Sequence, residues 1–210
     1  MTEDYSEQNL KNHCPHCDKN GWAFEFGLKE FEHFSVICDC HPLLEGHILI
    51  IPNRHVSCIG EYTQDEFSEF IRIYERMSHW ISREYGAVAT FEHGKIGQTV
   101  FHSHVHLLPV SANPEQIIPE GKAFFRPIES IENLIEIFQK ENQYLFFSLG
   151  KEMWVVDASI GMPRFFRDRF ASFIGKPERA NWKETRRNPQ LLDAGHAENK
   201  LCQQKFDKLY

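Results

Sequence analysis

The chain is 210 residues long, with a formal net charge of −7, 41% hydrophobic residues and 25% charged residues. Its 18 Phe, 6 Tyr and 4 Trp offer ample apolar area to bury, which excludes disorder over most of the chain. The acidic balance excludes a broad nucleic-acid surface, and the longest apolar run, Ile48-Leu49-Ile50-Ile51, is far too short to span a membrane.

In chain order, residues 1–12 are polar and read as a frayed start. No basic stretch followed by an apolar block opens the chain, so no signal peptide is expected. The expected setting is cytoplasmic, where the six cysteines do not read as disulfides. Cys14-Pro15-His16-Cys17 follows a polar tail rather than a strand, so it reads as half of a zinc site. Cys38, Cys40, Cys58 and Cys202 read as small buried residues or unpaired thiols. Strands are predicted over 22–26, 33–39 and 46–51, with a turn from His41-Pro42 to Glu45-Gly46 before the last. A helix is predicted over 63–85. Thr63 is its N-cap, Glu66 its capping-box partner and Gly86 its stop. Phe67, Phe70, Ile71, Tyr74, Met77, Trp80 and Ile81 repeat with helical spacing. Two more strands are predicted over 87–92 and 99–108, joined by a turn holding Gly94 and Gly97. A helix over 128–139, a hairpin of 144–148 and 152–156 about Gly150, and a helix over 163–174 complete the regular elements. From Gly175 the chain reads as a polar tail that wraps the surface. This order predicts an antiparallel α+β fold rather than a βαβ alternation.

The most informative segment is Gly97-Gln98-Thr99-Val100-Phe101-His102-Ser103-His104-Val105-His106-Leu107-Leu108-Pro109. On a strand, His102, His104 and His106 share one face, while Phe101, Val105 and Leu107 point into a core. Three readings follow from the residues alone. The face is a His-rich polar surface, or the imidazoles hold a catalytic metal, or they divide the labour between nucleophile, ligand and phosphate donor.

That segment resembles the signature of the histidine triad superfamily of nucleotide hydrolases and transferases. A second block, from Asp39-Cys40-His41-Pro42 through Gly46-His47 to Ile51-Pro52-Asn53-Arg54-His55, resembles the same family. Together they cover about residues 12–110. The resemblance implies a triad-type antiparallel sheet with flanking helices. It implies a catalytic domain over 1–112 with an N-terminal zinc knuckle, and a C-terminal extension of helix, hairpin, helix and polar tail over 113–210. It also implies attack by His104 on the α-phosphorus of a nucleotide, through a covalent nucleotidyl-histidine. His106 then faces the phosphate and leaving group, and His47 orients the pair. Gln98 and Thr99 match positions that bind phosphate oxygens, and Asp39 one that accepts from ribose hydroxyls. Some members, including the galactose-1-phosphate uridylyltransferase branch, hold structural zinc. Their ligand positions match Cys14, Cys17, His55 and His102 here. The implied partner is a small nucleotide substrate: a phosphoramidate, a dinucleoside polyphosphate or a nucleotide sugar. Members commonly dimerise, so a homodimer is expected unless the extension replaces that contact. A nucleotide-binding adaptor with little turnover, and a hydrolase with a catalytic metal on the triad, stay open.

Members often carry an Asn before the Gly-Gln pair. Here Phe91-Glu92-His93-Gly94 stands there, leaving Glu92 or His93 as the substitute. Residues 163–183 resemble an extension on larger members such as the CwfJ-type group. Lys176, Arg179, Lys183, Arg186 and Arg187 read either as a solvated tail or as a basic flap that reaches the phosphates.

Overall fold

A computed structural model of the chain describes residues 14–209. The polar start expected to fray lies outside them. Among the described residues eight strands form one sheet. They are β1 (Gly27–Glu30), β2 (Phe34–Cys38), β3 (Ile48–Pro52), β4 (Ala89–Gly94), β5 (Val105–Leu108), β6 (Phe125–Ile128), β7 (Tyr144–Leu149) and β8 (Glu152–Val156). Their spatial order is β1-β2-β3-β5-β4-β7-β8-β6, and every neighbouring pair is antiparallel. The α+β expectation holds. β2 and β3 are buried along their whole length, which suits their Val- and Ile-rich sequences. β4 pairs with β7 from Ala89↔Leu149 to Gly94↔Tyr144, so the sheet runs unbroken into the C-terminal half.

Helix α1 (Gln64–Tyr85) has the expected capping box. Thr63 accepts from the Glu66 amide, and the Glu66 carboxylate accepts from the Thr63 amide. Gly86 ends it at φ +90°, a conformation that favours glycine. Phe70, Met77, Trp80 and Ile81 are fully buried against one face of the sheet, as the helical spacing requires. Helix α2 (Asn133–Glu141) packs into the same core. The opposite face is covered by helix α3 (Phe165–Phe173), whose Phe166 and Phe170 meet Phe91 of β4.

Four expectations fail, each for a local reason. The 22–26 strand is instead a single 3₁₀ turn, Trp22–Phe24, followed by β1. An aromatic alternation of three is too short to tell a strand from a turn. The helix expected from residue 128 begins only at Asn133, whose side chain accepts from the Glu129 and Ser130 amides and closes the turn before it. Ile128 belongs to β6, an edge strand that tolerates Pro127, the residue that hid it. The surface tail is helix α4 (Pro189–Phe206) over much of its length. Asn188 caps it by accepting from the Gln190 and Leu191 amides, with Pro189 at its first position. Its Cys202 and Phe206 are buried, and Phe206 meets Trp80 edge-on at 5.1 Å. The fourth failure concerns the histidines. Among the described residues, no helix is long and apolar enough to cross a membrane.

Candidate active site and metal-ligand cluster

The predicted histidine strand is only half a strand. β5 begins at Val105, so His102 and His104 lie in the loop before it and His106 within it. Strand alternation therefore does not place all three on one face. Phe101, expected in the core, is 46% exposed for the same reason, while Val105 and Leu107 are buried as expected. His104 and His106 stay together, with ring centres 4.9 Å apart. His102 turns away toward Cys14, Cys17 and His55. Gly97 helps set this loop. Its φ is +74°, its carbonyl accepts from the Arg164 amide at 3.0 Å, and an added Cβ would lie 2.1 Å from the Met162 carbonyl oxygen.

Hydrogen bonds then dictate the tautomers. The Leu43 amide donates to His47 Nδ1 at 3.1 Å, so His47 carries its proton on Nε2. That Nε2–H donates to His106 Nδ1 at 2.9 Å, which leaves the His106 proton on Nε2. His106 Nε2 is buried and has no partner. His104 donates from Nδ1 to the His102 carbonyl at 2.6 Å, so its Nε2 bears a lone pair. Burial holds His104 below the usual imidazole range and His106 well below it, and it lowers His47 to about 3. All three are therefore neutral at pH 7. Phe91 stacks on His106 at 4.1 Å and fixes its plane. The arrangement offers one nucleophilic nitrogen with an unpaired N–H donor beside it.

The three residues expected to hold substrate are met first by protein groups. Asp39 lines the cavity with His104 and His106. Its carboxylate accepts from Arg167 Nη1 at 2.7 Å and from the His41 amide at 2.8 Å. Burial alone would raise Asp39, but Arg167, His47 and His41 outweigh it and hold the carboxyl at about 2. Thr99 also lines the cavity, and its hydroxyl accepts from the Trp182 indole at 2.9 Å. Gln98 does not line the cavity; its amide donates to the Ser57 carbonyl at 2.6 Å. Arg167, Trp182 and Trp22 also line the cavity, and sequence reasoning missed them as site residues. Trp22 stacks on Trp182 at 5.7 Å. The only signal for Arg167 and Trp182 lay in the similarity of residues 163–183 to a family extension. Of the basic cluster, Arg179 is buried and pairs with Glu198, and Arg186 lies over Trp22.

Arg167 also donates to the His41 carbonyl at 2.7 Å and the Ala180 carbonyl at 3.1 Å. Arg167→Met would leave Asp39 buried and unpaired, so it is expected to cost about 3–5 kcal/mol of stability. Urea melts would show this, with part of the loss recovered when Asp39→Asn is added. A loss below about 1 kcal/mol would mean that Asp39 is already compensated without the guanidinium.

Cys14, Cys17, His55 and His102 place one ligand atom each within 4.8 Å of one another. Cys17 Sγ is 3.2 Å from His55 Nδ1, and Cys14 Sγ is 3.4 Å from His102 Nδ1. His102 Nε2 donates to the Pro52 carbonyl at 2.8 Å, which leaves Nδ1 unprotonated and directed at the thiols. Burial pushes the Cys14 thiol up to about 12, so only a bound cation would hold it as thiolate at neutral pH. Two soft sulfurs, two imidazoles and a fixed tautomer fit a metal ion. Asp39, His47 and His106 form a second close group, but a guanidinium already sits on Asp39 and the two imidazoles are spent on each other.

Glu92 lies on the other face of β4 and supports the loop from behind. It accepts from the Ser103 hydroxyl at 2.8 Å, the Ile59 amide at 3.1 Å and the Tyr144 hydroxyl. His93 faces the site and accepts from the Phe166 amide at 3.2 Å. Burial raises Glu92 to about 7. Between about pH 4.5 and pH 7 the folded state thus holds a proton that the unfolded state has lost. Stability falls with rising pH in that window, by about 1.4 kcal/mol per pH unit from this group. Glu92→Gln is expected to remove that slope, read as Tm against pH. Parallel profiles for the two proteins would refute the shift.

Residues 25–113 match the HIT domain. An uncharacterized HIT-like protein of Chlamydia trachomatis is 36% identical over 83 residues, which is 38% of this chain and 75% of that protein. A bis(5′-adenosyl)-triphosphatase of Dictyostelium discoideum is 33% identical over 107 residues, covering 49% of this chain and 65% of its own length. Among solved structures, a HIT-family protein from Bacillus subtilis is 22% identical with a TM-score of 0.42, over 61% of this chain and 96% of that one.

Proposed function

The chain belongs to the histidine triad (HIT) family, and from that premise we propose that it hydrolyses or transfers nucleotides by attack of His104 on an α-phosphorus. The observation that carries this reading is the pairing of the His104 Nε2 lone pair with the unpartnered donor on His106. In the first step His104 Nε2 bonds to phosphorus and the bond to the leaving oxygen breaks. The His106 Nε2–H stabilises the charge that develops there. In the second step the oxygen of water or another acceptor hydroxyl bonds to phosphorus, the bond to His104 Nε2 breaks and returns its lone pair, and the acceptor's proton is released to solvent. The similarity to a bis(5′-adenosyl)-triphosphatase supports a dinucleoside polyphosphate as the substrate class. Asp39 is spoken for by Arg167, so a ribose hydroxyl would meet a carboxylate that is already neutralised.

Zinc fits Cys14, Cys17, His55 and His102. Bound there, it would act as a closed four-ligand cross-link with no open position for chemistry. The protein's own contribution is to tie residues 14–17 to the loop that ends in His104. A catalytic metal on Asp39, His47 and His106 is the weaker reading, because it would have to displace Arg167 and break the His47–His106 bond.

The test is covalent trapping. Protein incubated with a labelled dinucleoside polyphosphate, a nucleoside phosphoramidate or a nucleotide sugar is quenched and mapped. A nucleotidyl adduct on His104 is expected with at least one of them. Binding without any adduct or turnover would favour the adaptor.

A further inference from the structure

His16 stands between two metal-ligand positions, where a knuckle tip would ordinarily point to solvent. Here it does the reverse. The Cys17 amide donates to the Cys14 carbonyl at 3.1 Å, and the resulting turn sends the His16 ring inward. The residue is only 7% exposed, and it lines the same cavity as His104, His106 and Thr99. Its ring meets His104 edge-on at 4.9 Å, and His106 meets His104 at the same 4.9 Å. Two imidazoles therefore flank the proposed nucleophile. Each presents a buried nitrogen without a partner, Nδ1 on His16 and Nε2 on His106.

A buried nitrogen left unpaired costs free energy, and such groups are rare unless a ligand or water completes them. What the His104 nitrogen attacks offers only acceptor oxygens at phosphorus, and a neutral imidazole can carry its proton on Nδ1 to meet one. We propose that His16 is a further catalytic histidine, which donates a hydrogen bond from Nδ1 to a phosphoryl oxygen of the group held at His104. This rests on the reading of His104 as the nucleophile. It goes beyond the triad itself, because this imidazole comes from the Cys14–Cys17 turn and not from the triad segment. A donor placed on a transferring phosphoryl group stabilises the transition state more than the ground state, so its loss lowers kcat rather than raising KM.

The experiment compares wild type with His16→Phe and His16→Gln, on whichever substrate labels His104 in the trapping assay. Metal content is measured for all three. Phe keeps the ring contact and removes the donor; Gln keeps an amide donor. For His16→Phe with full metal content, kcat is expected to fall about a hundredfold while KM stays within about threefold. His16→Gln should recover at least about tenfold of that loss. A His16→Phe rate within about threefold of wild type overturns the proposal. Loss of metal by both variants also overturns it, since His16 would then only shape the knuckle. If wild type itself never labels His104, the nucleophile reading fails first, and separately.

Discussion

Replacing His104 by alanine is expected to lower kcat by about 10⁴-fold or more, with Tm within about 2 °C of wild type. The size follows from the role. The imidazoles nearest to it on the histidine segment and β4 are already committed to other partners. His47 and His106 hold each other, His93 accepts from Phe166, and His102 faces the thiols. The small stability effect follows from placement. His104 sits in a loop at the cavity rather than in either core, so its removal opens no apolar void. Steady-state kinetics and thermal melts check both halves. Adding His106→Ala should cost little more than His104→Ala alone, because the two act on one step. A rate near wild type would remove His104 from the mechanism.

The second large effect is on the metal-ligand cluster. Cys14→Ala with Cys17→Ala is expected to abolish stoichiometric metal binding and to cost about 5 kcal/mol, a fall in Tm of roughly 10–20 °C. A metal bound there would join positions 14 and 17 to 55 and 102, so its loss would free the start of the described chain from β5's approach loop. Without an ion, the thiol–imidazole contacts of 3.4 and 3.2 Å are weak replacements for metal–ligand bonds. The loss should extend to the site, because His102 gives His104 its carbonyl acceptor. Metal analysis with melts before and after chelation reads both effects. Equal metal content in variant and wild type would show that the ligand set is wrong.

How much of this was legible in advance differs from element to element. Helix α1 was readable to its caps, because Thr63, Glu66 and Gly86 each act through a bond or a backbone angle that is local. The 144–156 hairpin was readable for the same reason. Helix α4 was not, although Asn188-Pro189 marked its start, because its buried positions are few and its apolar spacing weak. β6 was hidden by Pro127, which only an edge position permits.

The site shows the same division. Residue type and spacing single out His102, His104, His106 and the paired cysteines, whose imidazole and thiolate chemistry belongs to the side chains themselves, while His47 and His55 stand out only through the family resemblance. They could not say that β5 begins at Val105, so the three histidines seemed to share a face when only His104 and His106 do. Nor could they say that Arg167, 128 residues after Asp39, would neutralise it, or that Trp182 would hold Thr99. Tautomers, buried partners and the inward turn of His16 depend on contacts between segments far apart in the chain. Local sequence carries no signal for them, because burial and pairing are properties of what packs against a residue. Folding alone brings those segments within hydrogen-bond reach.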